Sequence, residues 1–393
     1  MDYEKILADK AKTIKPSGIR KYFDLAADME DCIALGVGEP DFKTPWVVRQ
    51  AGIENLQRGR TCYTSNAGLK ELREEICRYL FRRFGLAYKT EETLVTVGGS
   101  EAIDLCIRAV VDPGDEVLIP EPCFVCYAPI TELAHGVAVP IPLKAENSFR
   151  LTAEQLKAAI TPRTKLLILP FPSNPTGAVM HKKDLEALAE VLRETNILVL
   201  SDEIYAELTY TGEQHVSIAG LPGMRDRTVV VNGFSKAHAM TGWRLGYAAG
   251  PERIIGIMTK IHQFAIMCAP TTSQYAAVVA LSSCDEQIEE MRDEYNVRRR
   301  FLVDRLNKLG LSCFAPEGAF YVFPSIQKTG LSSETFCERL LQEKGVAVVP
   351  GCAFGASGEG FVRISYAYSL DHLTEAMKRI EAFVHELEQN GHE

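Results

Sequence analysis

The stretch that decides the fold is "ETLVTVGGSEAIDLCIRAVVDPGDEVLIP", residues 92–120. A short β-branched run, 92–97, ends in a glycine pair and passes into a helical pattern over 98–111, and a second apolar run follows at 115–120. The alternation continues with "TKLLILP" (164–170), the helical "KKDLEALAEVLRET" (182–195), "NILVLSDE" (196–203), "TVVVNGF" (228–234) and "RLGYAAG" (244–250). Strands that are continuously apolar and separated by helices imply a mostly parallel sheet covered on both faces, an α/β domain. Beyond residue 285 a long charged helical pattern (285–310) leads to "AFYVFPS" (319–325), "VAVVP" (346–350), "FVRISYA" (361–367) and an amphipathic helix over 369–388. These read as a smaller α+β unit completed by the N-terminal segment. The expected division is therefore an arm and part of the small domain in 1–40, a large domain in 41–284 and the small C-terminal domain in 285–393, with no internal repeat.

A chain of 393 residues, 46% hydrophobic and 24% charged, has the composition of a globular protein large enough for an enzyme. Its formal charge of −9, without a basic run, argues against nucleic-acid and anionic-membrane partners. No apolar run approaches the roughly 20 residues that span a bilayer, and the charged N-terminus lacks the apolar core of a secretory signal. Eleven scattered cysteines point to reduced thiols and a cytoplasmic location. Cys123 and Cys126 form a C-x-x-C without a second pair at metal spacing, so no metal site is expected.

The chemistry-bearing residues fall at strand ends, where open parallel sheets bind ligands. Gly98, Gly99 and Ser100 open a helix whose free N–H groups suit a phosphate; a plain glycine-rich turn with Ser100 as N-cap is the equal alternative. Asn174 sits in the proline-fixed loop "PFPSNPTG" (170–177), which is also a common turn signal. Asp202 ends an apolar run that would bury it unless a cation or donor compensates, with a helix cap as the bland alternative. Tyr205 would share its face if a helical turn begins there. Lys236 follows Ser235 after "TVVVN", and Arg244 lies eight residues on. A lysine there is ordinarily a surface residue. Partly desolvated beside a second cation, however, its amine would have a depressed pKa and could attack an aldehyde, while the arginine fork would hold a phosphate.

Together these parts match a pyridoxal 5'-phosphate site. Lys236 would form the Schiff base, and Ser100, nearby backbone N–H groups, Ser235 and Arg244 would hold the phosphate. Asp202 would keep the pyridine nitrogen protonated, and Asn174 and Tyr205 would hydrogen-bond the phenolic oxygen.

"SNPTG" (173–177), "SDEIY" (201–205), "SK" (235–236) and "GWRLGY" (242–247), in this order, resemble the class I aminotransferases of the fold-type I pyridoxal phosphate enzymes. The resemblance extends from "LGVGEPDF" (35–42) through "YTSNAG" (63–68) and "PGDEV" (113–117) to "FVRIS" (361–365). It implies a large domain with a mostly parallel seven-stranded sheet between helices, plus a smaller α+β domain. It implies further that Gly99 and Glu101 join the cofactor-binding residues, that Phe124 stacks on the pyridine ring, and that Arg363 and Gly38 receive the substrate carboxylate together with Asn174. Tyr63 would reach the phosphate of a neighbouring subunit, giving a homodimer with shared active sites. The plainer readings are a core aromatic for Phe124, an exposed strand residue for Arg363, a turn glycine for Gly38 and interface packing for Tyr63.

The resemblance implies ping-pong transfer of an amino group from an amino acid to a 2-oxo acid, with Lys236, Asp202 and Tyr205 as the catalytic set. Some bacterial aspartate aminotransferases of this branch carry a lysine after "VGG" for the distal carboxylate, where this chain has Ser100. With "PSGIRKY" (16–22) and "SKAHAMTGWR" (235–244), that departure points towards the N-acetyl-diaminopimelate and aromatic aminotransferases. A neutral or aromatic donor with 2-oxoglutarate is expected. A cysteine-conjugate β-lyase and an aspartate aminotransferase are the alternatives. A regulator built on this fold would carry an N-terminal DNA-binding domain, for which the segment before residue 35 has neither the length nor the charge.

Overall fold

The computed structural model describes residues 1–16, 18, 29 and 31–390, so most of "PSGIRKY" lies outside the described residues. The strands, in chain order, are β1 (Ile33–Ala34), β2 (Thr93–Thr96), β3 (Glu116–Glu121), β4 (Val137–Pro142), β5 (Thr164–Leu169), β6 (Leu198–Asp202), β7 (Thr228–Gly233), β8 (Gly246–Ala249), β9 (Tyr321–Val322), β10 (Val346–Ala347), β11 (Val349–Pro350) and β12 (Val362–Ser365). Seven form one sheet in the order β2-β8-β7-β6-β5-β3-β4. Only β8 runs against its neighbours, pairing antiparallel with β2 and β7. This is the α/β architecture of the fold-type I enzymes.

The inner strands β5, β6 and β7 are largely apolar and buried, as a sheet covered on both faces requires. Leu166, Ile168, Leu200, Val229 and Val231 pack on one face with the helix Gly99–Val110, and Leu167, Leu169 and Val199 pack on the other with the helix Lys182–Arg193. Strand β4 carries no such signal, since it lies at the sheet edge, is largely exposed and contains Pro140 and Pro142. The sequence reading missed it for that reason.

The C-terminal part contains the charged helix Asp285–Lys308 and the final helix Leu370–Asn390 around a three-stranded sheet, β11-β12-β9. "VAVVP" is not one strand. Val346 and Ala347 pair in parallel with Ile33 and Ala34, whereas Val349 and Pro350 pair antiparallel with β12. The core of this part reaches across to Tyr205 and Leu208 beside the large sheet. The cleft between these two layers lies at the carboxyl ends of β6 and β7.

Candidate active site

A cavity of about 560 Å³ opens in that cleft, and its lining includes Gly38, Gly99, Ser100, Phe124, Asn174, Asp202, Tyr205, Ser235, Lys236, Arg244 and Arg363. Residues separated by as many as 325 positions thus meet around one space. Among the described residues, its only cations are Lys236, Arg244 and Arg363.

Lys236 follows β7 and turns its amine inward, where Nζ donates to the Gly38 carbonyl at 2.6 Å. The ammonium lies 5.9 Å from the Tyr205 ring centroid and 5.8 Å from that of Phe320. Burial among these groups lowers its pKa to about 8; Glu39 opposes the shift, and Arg363 and Arg244 add to it. Two nearby cations therefore help to keep a neutral amine available near physiological pH.

Asp202 ends β6. Its Oδ1 accepts the Ile204 N–H at 3.2 Å, as a cap would, and its Oδ2 accepts the Tyr127 hydroxyl at 2.7 Å. Burial raises its pKa to about 6, against the lowering effect of these hydrogen bonds. A buried carboxylate facing an open cavity is suited to a cationic partner there.

The phosphate-type cradle forms at the start of the helix Gly99–Val110. Gly98 is the N-cap, with φ +80° and no side chain to cap the first turn, so Ser100 lies inside the helix rather than at its cap. Gly98 adopts a φ that side-chain-bearing residues rarely take, and a Cβ there would stand 2.9 Å from Arg244 Nη2, so a larger residue would strain the turn and displace the guanidinium. Glu101 does not line the cavity. Its carboxylate accepts the Val97 N–H at 2.5 Å and pairs with the buried His262 Nδ1 at 2.6 Å, fixing the turn from behind.

Arg363, on β12, is only 2% exposed, unlike the exposed strand residue that its charge alone would suggest. Its Nη1 donates to Asn174 Oδ1 at 2.9 Å and its Nη2 to the Gly36 carbonyl, while Nε has no partner among the described residues. The guanidinium lies 4.5 Å from the Tyr321 ring centroid and 4.8 Å from that of Phe354. Phe124 is half-buried in the cavity lining and meets Tyr127 edge-on, with ring centroids 6.1 Å apart. Tyr63 lies outside the cavity and is 80% exposed.

Sequence reasoning missed Tyr127 and Tyr321. Tyr127 lies three residues beyond Phe124 and Tyr321 sits in "AFYVFPS", which reads as an ordinary apolar strand. Nothing in either stretch tells that a hydroxyl will point at Asp202 or Tyr205.

The donor set fits pyridoxal phosphate. It combines an uncapped helix start with Ser100, Ser235 and Arg244 for a phosphate, a buried carboxylate for a ring nitrogen, a lysine of lowered pKa for an aldehyde, and an orphaned arginine Nε for a carboxylate.

Comparison with known proteins agrees. Residues 30–380 match the sequence profile of the aminotransferase class I and II family. The chain is 54% identical over 380 residues to the putative aminotransferase YugH of Bacillus subtilis, covering 96% of this chain and 98% of the relative. It is 48% identical to an aspartate aminotransferase of Pyrococcus abyssi, covering 97% and 98%. The crystal structure of an aromatic aminotransferase from Pyrococcus horikoshii superposes with a TM-score of 0.89 at 46% identity, covering 93% of this chain and 99% of that one. The chain belongs to the class I and II aminotransferases, enzymes that work with pyridoxal phosphate.

Proposed function

We propose that the chain transfers the α-amino group of a neutral or aromatic L-amino acid, or of an N-acyl-diaminopimelate-type donor, to a 2-oxo acid such as 2-oxoglutarate in a ping-pong cycle. The observation that carries this reading is the convergence of the Lys236 amine and the buried Arg363 fork on one cavity, with Asn174 bound to the fork.

Bound pyridoxal phosphate supplies an electron-withdrawing ring that weakens the bonds to the substrate Cα. The chain supplies the rest. Arg363 and the Gly38 segment receive the substrate carboxylate and so orient Cα towards the lysine, which is where most of the entropic advantage arises. Lys236 Nζ would take the proton from the substrate Cα in the donor half-reaction and give a proton back to Cα of the product amino acid in the return half-reaction, a role suited to an amine with a pKa near 8. With the cofactor bound, Asp202 would hold a proton at the ring nitrogen, Tyr205 and Asn174 would satisfy the ring oxygen, and Phe124 would cover the ring. Gly99, Ser100, Ser235 and Arg244 would hold the phosphate, and Glu101 acts behind them by fixing the turn.

The apolar walls, Val37, Ile103, Phe124 and Ile204, and the serine at position 100 favour uncharged side chains over a second carboxylate. A surface patch supports a homodimer with shared sites. Trp46, Val47, Ile53, Leu56, Tyr63, Phe264 and Met267 are all exposed. The Tyr63 and Phe264 segments adjoin, since Asn66 donates to the Met267 carbonyl at 2.9 Å and Thr271 to the Cys62 carbonyl at 2.7 Å. A cytoplasmic enzyme divided at residues 40 and 284 belongs to the same reading; no described helix is long and apolar enough to cross a membrane.

The test is a panel of half-reactions followed by the cofactor spectrum. Phenylalanine, methionine and N-acetyl-diaminopimelate should convert the cofactor faster than aspartate at equal concentration, and 2-oxoglutarate should reverse the change. A strong preference for aspartate would contradict the substrate reading. Pyruvate release from cysteine conjugates without any added 2-oxo acid would contradict the aminotransferase assignment as the main activity.

A further inference from the structure

Tyr321 touches both functional ends of the cavity. It lies on β9, is 1% exposed, and its hydroxyl is 2.9 Å from that of Tyr205. The two rings meet edge-on at 5.9 Å and 80°. Its ring carries the Arg363 guanidinium at 4.5 Å. A Cβ on Gly38 would stand 2.5 Å from the Tyr321 hydroxyl, so this oxygen is pressed against the segment whose carbonyl takes the Lys236 amine.

A phenylalanine would serve for packing alone. A buried hydroxyl is costly unless it is paired, and here its partner is the phenol assigned to the cofactor's ring oxygen. Once Tyr205 commits its hydrogen to an acceptor in the cavity, its own oxygen needs a donor, and Tyr321 is the hydroxyl in reach. Such chained hydrogen bonds strengthen one another. The ring has a separate task, because an arginine stacked on an aromatic face keeps its planar fork in one orientation.

We propose that Tyr321 is a positioning residue that couples the two ends of the site, its hydroxyl setting the donor strength of Tyr205 and its ring setting the plane of Arg363. This rests on the functional reading above, but its test does not depend on turnover.

Three variants loaded with pyridoxal phosphate, Tyr321→Phe, Tyr321→Met and Tyr205→Phe/Tyr321→Phe, are compared with wild type and Tyr205→Phe. One readout is the pH midpoint of the cofactor's visible absorbance. The other is the Kd of 3-phenylpropionate, a carboxylate with no amino group to react. Tyr321→Phe should raise the midpoint by about half a pH unit, because a ring oxygen less well satisfied by Tyr205 holds the neighbouring proton more tightly. Its Kd should stay within about twofold of wild type, since the ring face remains. Tyr321→Met should weaken 3-phenylpropionate by about tenfold or more. The double variant should titrate as Tyr205→Phe alone, since the hydroxyl acts through Tyr205. An unmoved midpoint in Tyr321→Phe, an additive shift in the double variant, or wild-type affinity in Tyr321→Met would overturn the proposal. Should the methionine variant fail to fold, the phenylalanine and double variants alone decide by the same criteria. A chain that shows these shifts but transfers no amino group would separate this proposal from the functional reading.

Discussion

Arg363 and Asn174 meet across the cavity, guanidinium Nη1 to amide Oδ1 at 2.9 Å. The arginine comes from the small sheet and the asparagine from a loop of the large one, so the contact joins the two layers at the point where a carboxylate would bind. Arg363→Lys would keep the charge and lose the fork that serves Asn174, Gly36 and a carboxylate together. The KM for amino acid and 2-oxo acid should each rise by about tenfold or more, on the order of 1.4 kcal/mol, while cofactor affinity stays the same. Unchanged KM values would remove Arg363 from carboxylate binding.

The lowered pKa of Lys236 has a consequence for cofactor capture. Only the neutral amine attacks an aldehyde, so the protonated form present below about pH 8 is inert and the neutral form dominates above it. The rate at which the cofactor-free chain captures pyridoxal phosphate should therefore rise between pH 7 and 8 and level off near pH 9, measured by stopped-flow absorbance. A rate still climbing tenfold per unit towards pH 10 would mean that the amine has an ordinary lysine pKa.

Asp202→Asn keeps the size and the Ile204 cap while giving up the charge that, on the proposed reading, would hold a proton at the ring nitrogen. Single-turnover transfer should slow by at least about a hundredfold, on the order of 3 kcal/mol in barrier. A loss below about threefold would reduce Asp202 to the turn residue that its Oδ1 contact already makes it.

Much of this site was legible because its chemistry stands where strands end. Lys236, Asp202 and Gly99 each follow a strongly apolar run, and such runs in alternation with helices give the parallel sheet directly. The exposure of Arg363 was not legible, since a charged residue within "FVRIS" is buried only because Tyr321, Phe354 and Asn174 converge on it from distant parts of the chain. Glu101 shows the same limit from the other side. The family resemblance placed it among the cofactor-binding residues, yet a helix turns successive side chains by about 100°, and this one faces His262 instead of the cavity. Edge strand β4 and the split of "VAVVP" depend on pairing partners, which no local pattern specifies.

Tyr63 is 80% exposed in a single chain, so its expected role requires a partner subunit. Inactive Lys236→Ala chains mixed with inactive Tyr63→Ala chains should regain activity as subunits exchange. Random exchange makes about half the dimers mixed, and each mixed dimer has one site with both lesions and one with neither, so activity should approach roughly a quarter of wild type. No recovery, with exchange verified by differently tagged chains, would place Tyr63 outside a shared site.

The central claim is that Lys236 is the residue that bonds the cofactor. Borohydride reduction of the loaded enzyme fixes the cofactor to its lysine, and digestion followed by tandem mass spectrometry locates it. The account predicts a phosphopyridoxyl group on Lys236 alone, and none on a Lys236→Ala chain treated in the same way. A tag on another lysine of the wild-type enzyme, with Lys236 unmodified, would contradict it.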